Sequence, residues 1–241
     1  MGPREMEWVA KSDPGLVRPR NEDAYLVLPD KGLFAVADGL GGHQAGDVAS
    51  QLAVSTVAQF WQEEKEVSLE RLVAAVKAAN EAVYRASLAR PECMGMGTTL
   101  TVCLVKEKEL LWAHVGDSRG YLLRGGEVTQ FTQDHTLVAE LLREGEISPE
   151  EAEWHPYRHV LSRALGIEAA VEVDAGSFAL ERGDIILLCT DGLTLHLTPE
   201  EILRLVREAK SLAAGGEKLL AEALERGGED NITLVMVRID D

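Results

Sequence analysis

Four aspartates stand where short apolar runs end or begin, and this placement restricts the fold more than any other feature of the chain. Leu33-Phe34-Ala35-Val36-Ala37 runs into Asp38-Gly39, Leu110 to Val115 into Gly116-Asp117, and Ile185 to Thr190 into Asp191-Gly192, while Asp230-Asn231 opens Ile232 to Arg238. Short apolar runs bounded by turn residues are buried strands. Rigid strand ends of this kind aim side chains at a shared point. A single Asp-Gly is an ordinary turn. Four such sites, joined by Glu22-Asp23 ahead of a further strand, shift the balance toward function.

Carboxylates that converge without cations repel and raise one another's pKa. Hard oxygen donors with no spaced His or Cys point to Mg²⁺ or Mn²⁺ and away from zinc. Gly39, and the pair Gly41-Gly42, let backbone approach a metal or anion, and the Gly39 carbonyl is a candidate ligand. Arg18, just before Asn21-Glu22-Asp23, is a cation with the fork geometry that grips a phosphate.

Strands are expected over 7–11, 24–28, 32–37, 98–105, 110–115, 120–123, 128–131, 171–178, 184–189 and 232–238. Helices are expected over 47–64, from Leu69 through Val83 with Ser68 as N-cap, and over 199–208 and 217–225. Ser148-Pro149-Glu150-Glu151 and Thr198-Pro199-Glu200-Glu201 both read as helix starts. Residues 136–160 form a short helical, charged excursion, a flap outside the sheets. Strands cluster early, centrally and late with helix pairs between them, so regular βαβ winding is excluded. The pattern predicts an α+β layered domain, antiparallel sheets covered by helices, with residues 1–241 as one domain.

With 46 % hydrophobic residues the chain fills a core, and no apolar run is long enough to span a bilayer. The net charge of −17, from 41 acidic and 24 basic residues, repels nucleic acid and anionic lipid. Cys93, Cys103 and Cys189 lack any C-x-x-C spacing and read as reduced core thiols. No apolar segment follows the charged start, so no signal peptide is visible and a cytoplasmic monomer is expected.

The sequence resembles the PPM family, the type 2C metal-dependent Ser/Thr protein phosphatases, in its compact bacterial form. The resemblance rests on an ordered set of segments: 18–23 (Arg-Pro-Arg-Asn-Glu-Asp), 35–43 (Ala-Val-Ala-Asp-Gly-Leu-Gly-Gly-His), 97–100 (Gly-Thr-Thr-Leu) and 114–119 (His-Val-Gly-Asp-Ser-Arg). It continues through 132–136, 161–166, 190–193 and 229–233. The resemblance implies a four-layer α-β-β-α sandwich, two antiparallel sheets face to face with helix pairs outside.

It further implies that Asp38 bridges two Mn²⁺ or Mg²⁺ ions, with Asp191 and Asp230 completing the first. The Gly39 carbonyl serves the second, with Glu22 acting through water, and Asp117 with Asp191 holds a third ion. Arg18 would bind substrate phosphate, and metal-activated water would attack phosphorus in one in-line step without a phosphoenzyme. Asp23 and Asn231 would support this loop, while Asp134, His135, Ser162 and Arg163 frame the flap. Phosphoserine and phosphothreonine proteins are the implied substrates, opposite a Ser/Thr kinase.

The chain departs from many eukaryotic members in carrying Leu40, not His, after Asp38-Gly39. His43 is the candidate proton donor in its place, or orders the loop. Two rivals stand beside this reading. A nuclease or small-molecule phosphoesterase is disfavoured by the acidic charge and the motif order. A non-catalytic phosphoprotein-binding module is disfavoured by the presence of Asp38, Asp191 and Asp230 together.

Overall fold

The computed structural model describes residues 6–41, 45–63 and 66–240, so His43 and Gly42 lie outside the described residues. The chain begins with β1 (Met6–Asp13), β2 (Asp23–Leu28) and β3 (Leu33–Leu40), followed by α1 (Gly46–Glu63) and α2 (Leu69–Ala89). Ser68 caps α2, its hydroxyl accepting from the Arg71 N–H at 3.3 Å. Next come β4 (Gly97–Thr98), β5 (Leu100–Lys106), β6 (Glu109–Val115), β7 (Arg119–Arg124) and β8 (Glu127–Gln130). Gly125 and Gly126, at φ 59° and 90°, supply the left-handed pair that turns β7 into β8.

α3 (Leu137–Arg143) and α4 (Pro149–Glu153) make up the excursion, closed at its base by the Leu137 N–H donating to the Val160 carbonyl at 2.9 Å. β9 (Asp174–Ala179), β10 (Ile185–Cys189), α5 (Asp191–Thr194), α6 (Pro199–Arg207), α7 (Leu212–Glu225) and β11 (Ile232–Ile239) complete the order. Capping boxes at Ser148 and Thr198 start α4 and α6 as expected.

Strand pairing is antiparallel throughout. One sheet runs β1-β11-β10-β7-β8, the other β2-β3-β5-β6-β9 with β4 added to the end of β3. Alternation along each strand then builds the layers. Leu33, Ala35 and Ala37 of β3 pack under α1 and α2 with Val102, Ala113, Val57 and Val76. Phe34 and Val36 point the other way and meet Ile186, Leu188, Val235 and Val237 between the two sheets. Leu187, Cys189, Leu234 and Met236 face outward onto Ile202, Leu205 and Leu219 of α6 and α7. Strands buried on both faces explain the uninterrupted apolar runs of the sequence. The result is the expected helix–sheet–sheet–helix sandwich.

Several boundaries differ from expectation. β3 does not stop at Ala37 but continues to Leu40, because Gly39 and Leu40 pair with Thr98 and Gly97 of β4. The strand expected over 98–105 is correspondingly split at Thr99, and β9 starts at Asp174, later than 171. α7 starts at Leu212, with Ser211 as its cap, rather than at 217. Gly215 and Gly216 lie inside it because they let the helix approach the sheet: a Cβ on Gly216 would stand 3.3 Å from Val9. Among the described residues no helix is long and apolar enough to cross a membrane.

Candidate metal centre

The two sheets bring three of the four aspartates together at one end of the sandwich. Asp38 comes from β3, Asp117 from the link that leaves β6 in one sheet for β7 in the other, and Asp191 from the start of α5 directly after β10. Their carboxylate oxygens lie within 4.8 Å of one another. The β2–β3 register sets Asp23 opposite Asp38, adding a further carboxylate. Asp23 accepts a hydrogen bond from the Thr190 hydroxyl at 2.8 Å.

Charge makes this arrangement costly by itself. Burial first, then the charges of Asp191, Asp23 and Asp117, push the Asp38 carboxyl well above its usual range. Burial and neighbouring Asp191 push Asp117 up to about 8, and burial pushes Asp23 up to about 7 against the lowering hydrogen bonds of Thr233 and Thr190. Asp191 is raised as well, again mainly by burial. Among the described residues, the buried side-chain oxygens without a hydrogen-bond partner are Asp23 Oδ1 and Asp191 Oδ1. Clustered oxygen donors, mutually raised and partly unpartnered, fit hard divalent cations.

Asp230 stands beside this cluster and not within it. Its Oδ2 accepts from Arg18 Nη2 at 2.9 Å, and its Oδ1 from the Asn231 N–H at 2.8 Å. Asn231 organises the loop before β2: its side chain donates to the carbonyls of Pro14 and Arg20, each at 2.8 Å, and accepts from the Glu22 N–H at 2.8 Å. Glu22 in turn accepts at its carbonyl from Gly39 N–H and the Ser50 hydroxyl, and its carboxylate lies against Gly46 at the start of α1. Burial, then Asp47, raises the Glu22 pKa, while Arg18 lowers it. A Cβ on Gly39 would fall 2.0 Å from the Gly46 carbonyl oxygen, so backbone passes this point only as glycine.

Hydroxyls fix the aspartates from behind. Thr99 Oγ1 accepts from the Asp38 N–H at 2.9 Å and bonds Ser118 Oγ at 2.7 Å, tying the strand of Asp38 to the turn of Asp117. The Thr98 hydroxyl donates to the Asp38 carbonyl at 2.9 Å. Sequence reasoning gave these residues no role, although they fall within the segments that carried the resemblance. Arg119 is occupied: its guanidinium grips Asp134 and donates to the Tyr121 hydroxyl. A cavity of about 590 Å³ joins Asp117 and Asp191 to Glu153, Arg158 and His159 of the excursion.

A family model described as protein phosphatase 2C matches residues 18–226. The chain is 39% identical over 241 residues to the serine/threonine phosphatase stp of Listeria monocytogenes, covering 95% of this chain and 94% of that one. The crystal structure of the Mycobacterium tuberculosis serine/threonine phosphatase PstP/Ppp superposes with TM-score 0.91 at 42% identity, over 98% of this chain and 99% of that one. The chain belongs to the protein phosphatase 2C family. A second structure, the PstP catalytic domain described in complex with 2 manganese ions, gives TM-score 0.88 at 42% identity, over 98% of this chain and 99% of that one.

In this phosphatase 2C chain all three cysteines are buried and free. Burial pushes Cys189 up to about 12 and Cys103 higher still. Neither is a thiolate nucleophile at neutral pH.

Proposed function

We propose that this phosphatase 2C chain is a Mn²⁺- or Mg²⁺-dependent protein serine/threonine phosphatase that acts on phosphoserine and phosphothreonine proteins, opposite a Ser/Thr kinase. The observation that carries the proposal is the Asp38–Asp117–Asp191 cluster, with Arg18 at its edge on Asp230. In this reading Asp38, Asp191, Asp230, Glu22 and the Gly39 carbonyl hold two ions, and Asp117 with Asp191 holds a third. When bound, the ions supply positive charge for phosphoryl oxygens and lower the pKa of water.

The chain's own residues do the remaining work. Arg18 presents a guanidinium with five donors, of which Asp230 engages Nη2, leaving others for phosphate oxygens. The Thr99–Ser118 bond keeps Asp38 and Asp117 in fixed relation, so no reorganisation is needed on binding. Leu40 has no proton to give, and His43, three residues further along the sequence, is the proposed donor to the leaving oxygen. The raised thiols support direct attack by water without a phosphoenzyme.

The proposal takes residues 1–241 as one catalytic domain, since its residues are drawn from Arg18 to Asp230. Free buried thiols support a reducing, cytoplasmic address, and the charge of −17 supports a monomer. Phosphate release from a phosphothreonine peptide, measured with Mn²⁺ and after chelation, tests the reading. Release that needs the metal is expected; no release with Mn²⁺ leaves a binding module as the answer.

A further inference from the structure

The residue before Asp117 is held at both of its main-chain polar groups by one side chain's residue. The Gly116 N–H donates to His135 Nδ1 at 3.0 Å, and the Gly116 carbonyl accepts from the His135 N–H at 2.8 Å. Gly116 has φ of 114°, and a Cβ there would fall 2.6 Å from Thr99, so the turn has one tight conformation to hold. His135 is fully buried.

Its tautomer follows from its partners. A ring nitrogen that accepts a main-chain N–H carries no proton, so Nδ1 is bare and the neutral ring bears its proton on Nε2. Nε2–H then donates to Asp174 Oδ2 at 2.9 Å. Arg163 Nη1 donates to the other oxygen of Asp174 at 2.7 Å and passes the same Nε2 at 3.2 Å; the shorter contact is the carboxylate, so Arg163 braces Asp174 beside the ring. The reverse tautomer would set two N–H groups against each other at Gly116 and leave Asp174 facing a bare nitrogen. Burial lowers the His135 pKa, in keeping with a neutral ring.

We infer that His135, oriented by Asp174 and Arg163, is a positioning residue for Asp117: its bare Nδ1 holds the N–H of the Val115–Gly116 peptide while its main-chain N–H holds the Gly116 carbonyl, and the turn so fixed aims the Asp117 carboxylate toward the ion it would share with Asp191. Asp117 thereby sits between two fixed neighbours, Gly116 on His135 and Ser118 on Thr99. The sequence places His135 at the foot of the excursion, a framing position, and the geometry adds this second duty. The inference rests on the phosphatase reading of the cluster.

Two substitutions separate the ring nitrogens. In His135→Asn the amide oxygen takes the place of Nδ1 and still accepts from Gly116. In His135→Gln the amide reaches the place of Nε2, keeping Asp174 and losing Gly116. Calorimetric Mn²⁺ titration of the full chain is expected to show the weakest site loosened by about 10- to 100-fold in His135→Gln, with most affinity kept in His135→Asn. Activity toward a phosphothreonine peptide should follow the same order.

Equal loss in both variants, or wild-type Mn²⁺ binding in both, overturns the inference. Nitrogen-15 NMR of the wild-type imidazoles keeps it testable should either variant fail to fold. An Nε2–H tautomer for His135 is expected, and an Nδ1–H tautomer overturns the assignment. If the wild-type chain neither binds Mn²⁺ nor releases phosphate, the phosphatase reading fails and takes this inference with it. If it does both and the variants behave alike, only the inference fails.

Discussion

Asp38 has Asp23, Asp117 and Asp191 for neighbours, and its carboxyl is raised first by burial and then by their charges. Removing it relieves repulsion while deleting the proposed bridging ligand. Asp38→Ala should therefore melt no lower than wild type without metal, yet lose at least about tenfold in kcat on a phosphothreonine peptide, a barrier rise of about 1.4 kcal/mol. Retained kcat in steady-state kinetics would remove Asp38 from this role. Arg18 differs, because its half-exposed side chain sits at the rim on Asp230. A phosphate clamp that grips ground and transition states alike makes Arg18→Ala raise KM more than it lowers kcat. An unchanged KM with a collapsed kcat assigns Arg18 to the transition state instead. The aspartates were legible because a charged residue interrupting an apolar run is conspicuous in one dimension. Asp174 was not, since its meaning comes from His135 and Arg163 across a strand boundary. Thr99 and Ser118 likewise act through a contact between residues 19 positions apart.

At the scale of elements, β3 and α1 meet at Gly39. The glycine has no room for a methyl group: a Cβ would meet backbone oxygens of Gly46 at 2.0 Å and of Glu22 at 2.6 Å. Gly39→Ala should cost on the order of 1–3 kcal/mol or more by overpacking and displace Glu22 from α1. Chemical denaturation together with Mn²⁺ titration checks both effects; wild-type stability and affinity would show that the strand and helix can part without consequence. The layering of strands and helices was readable from apolar alternation and caps. The misplaced end of β3 and start of α7 share a cause. Gly39, Gly215 and Gly216 signal turns by composition, while the fold uses them for close approach of one element to another. The one-turn helix α5 carries too few residues for any period to register.

Across the whole molecule, the carboxylate cluster links stability to pH. In the metal-free chain burial and neighbouring charge push Asp23 up to about 7 and Asp117 up to about 8, and both are about 4 when unfolded. Between those values the native state binds more protons than the unfolded state, so stability falls as pH rises. The metal-free melting temperature should thus decline from about pH 5 to about pH 8, reflecting a loss on the order of a few kcal/mol. Saturating Mn²⁺ should flatten that slope, because cations favour the ionised carboxylates. Melting curves with chelator and with Mn²⁺ measure this, and a metal-free melting point that climbs over that range would contradict it. The same architecture has a consequence for synthesis. β1 lies at the edge of its sheet with β11 as its neighbour, Met6 opposite Ile239. On the ribosome β1 emerges before every other described strand and waits until β11, the last of them, has been made before its partner exists, and closing so long a loop is slow. Asp230, just ahead of β11, arrives equally late. A nascent chain therefore carries an unpaired strand that a chaperone can recognise, and its proposed metal centre stays incomplete until Asp230 has been made.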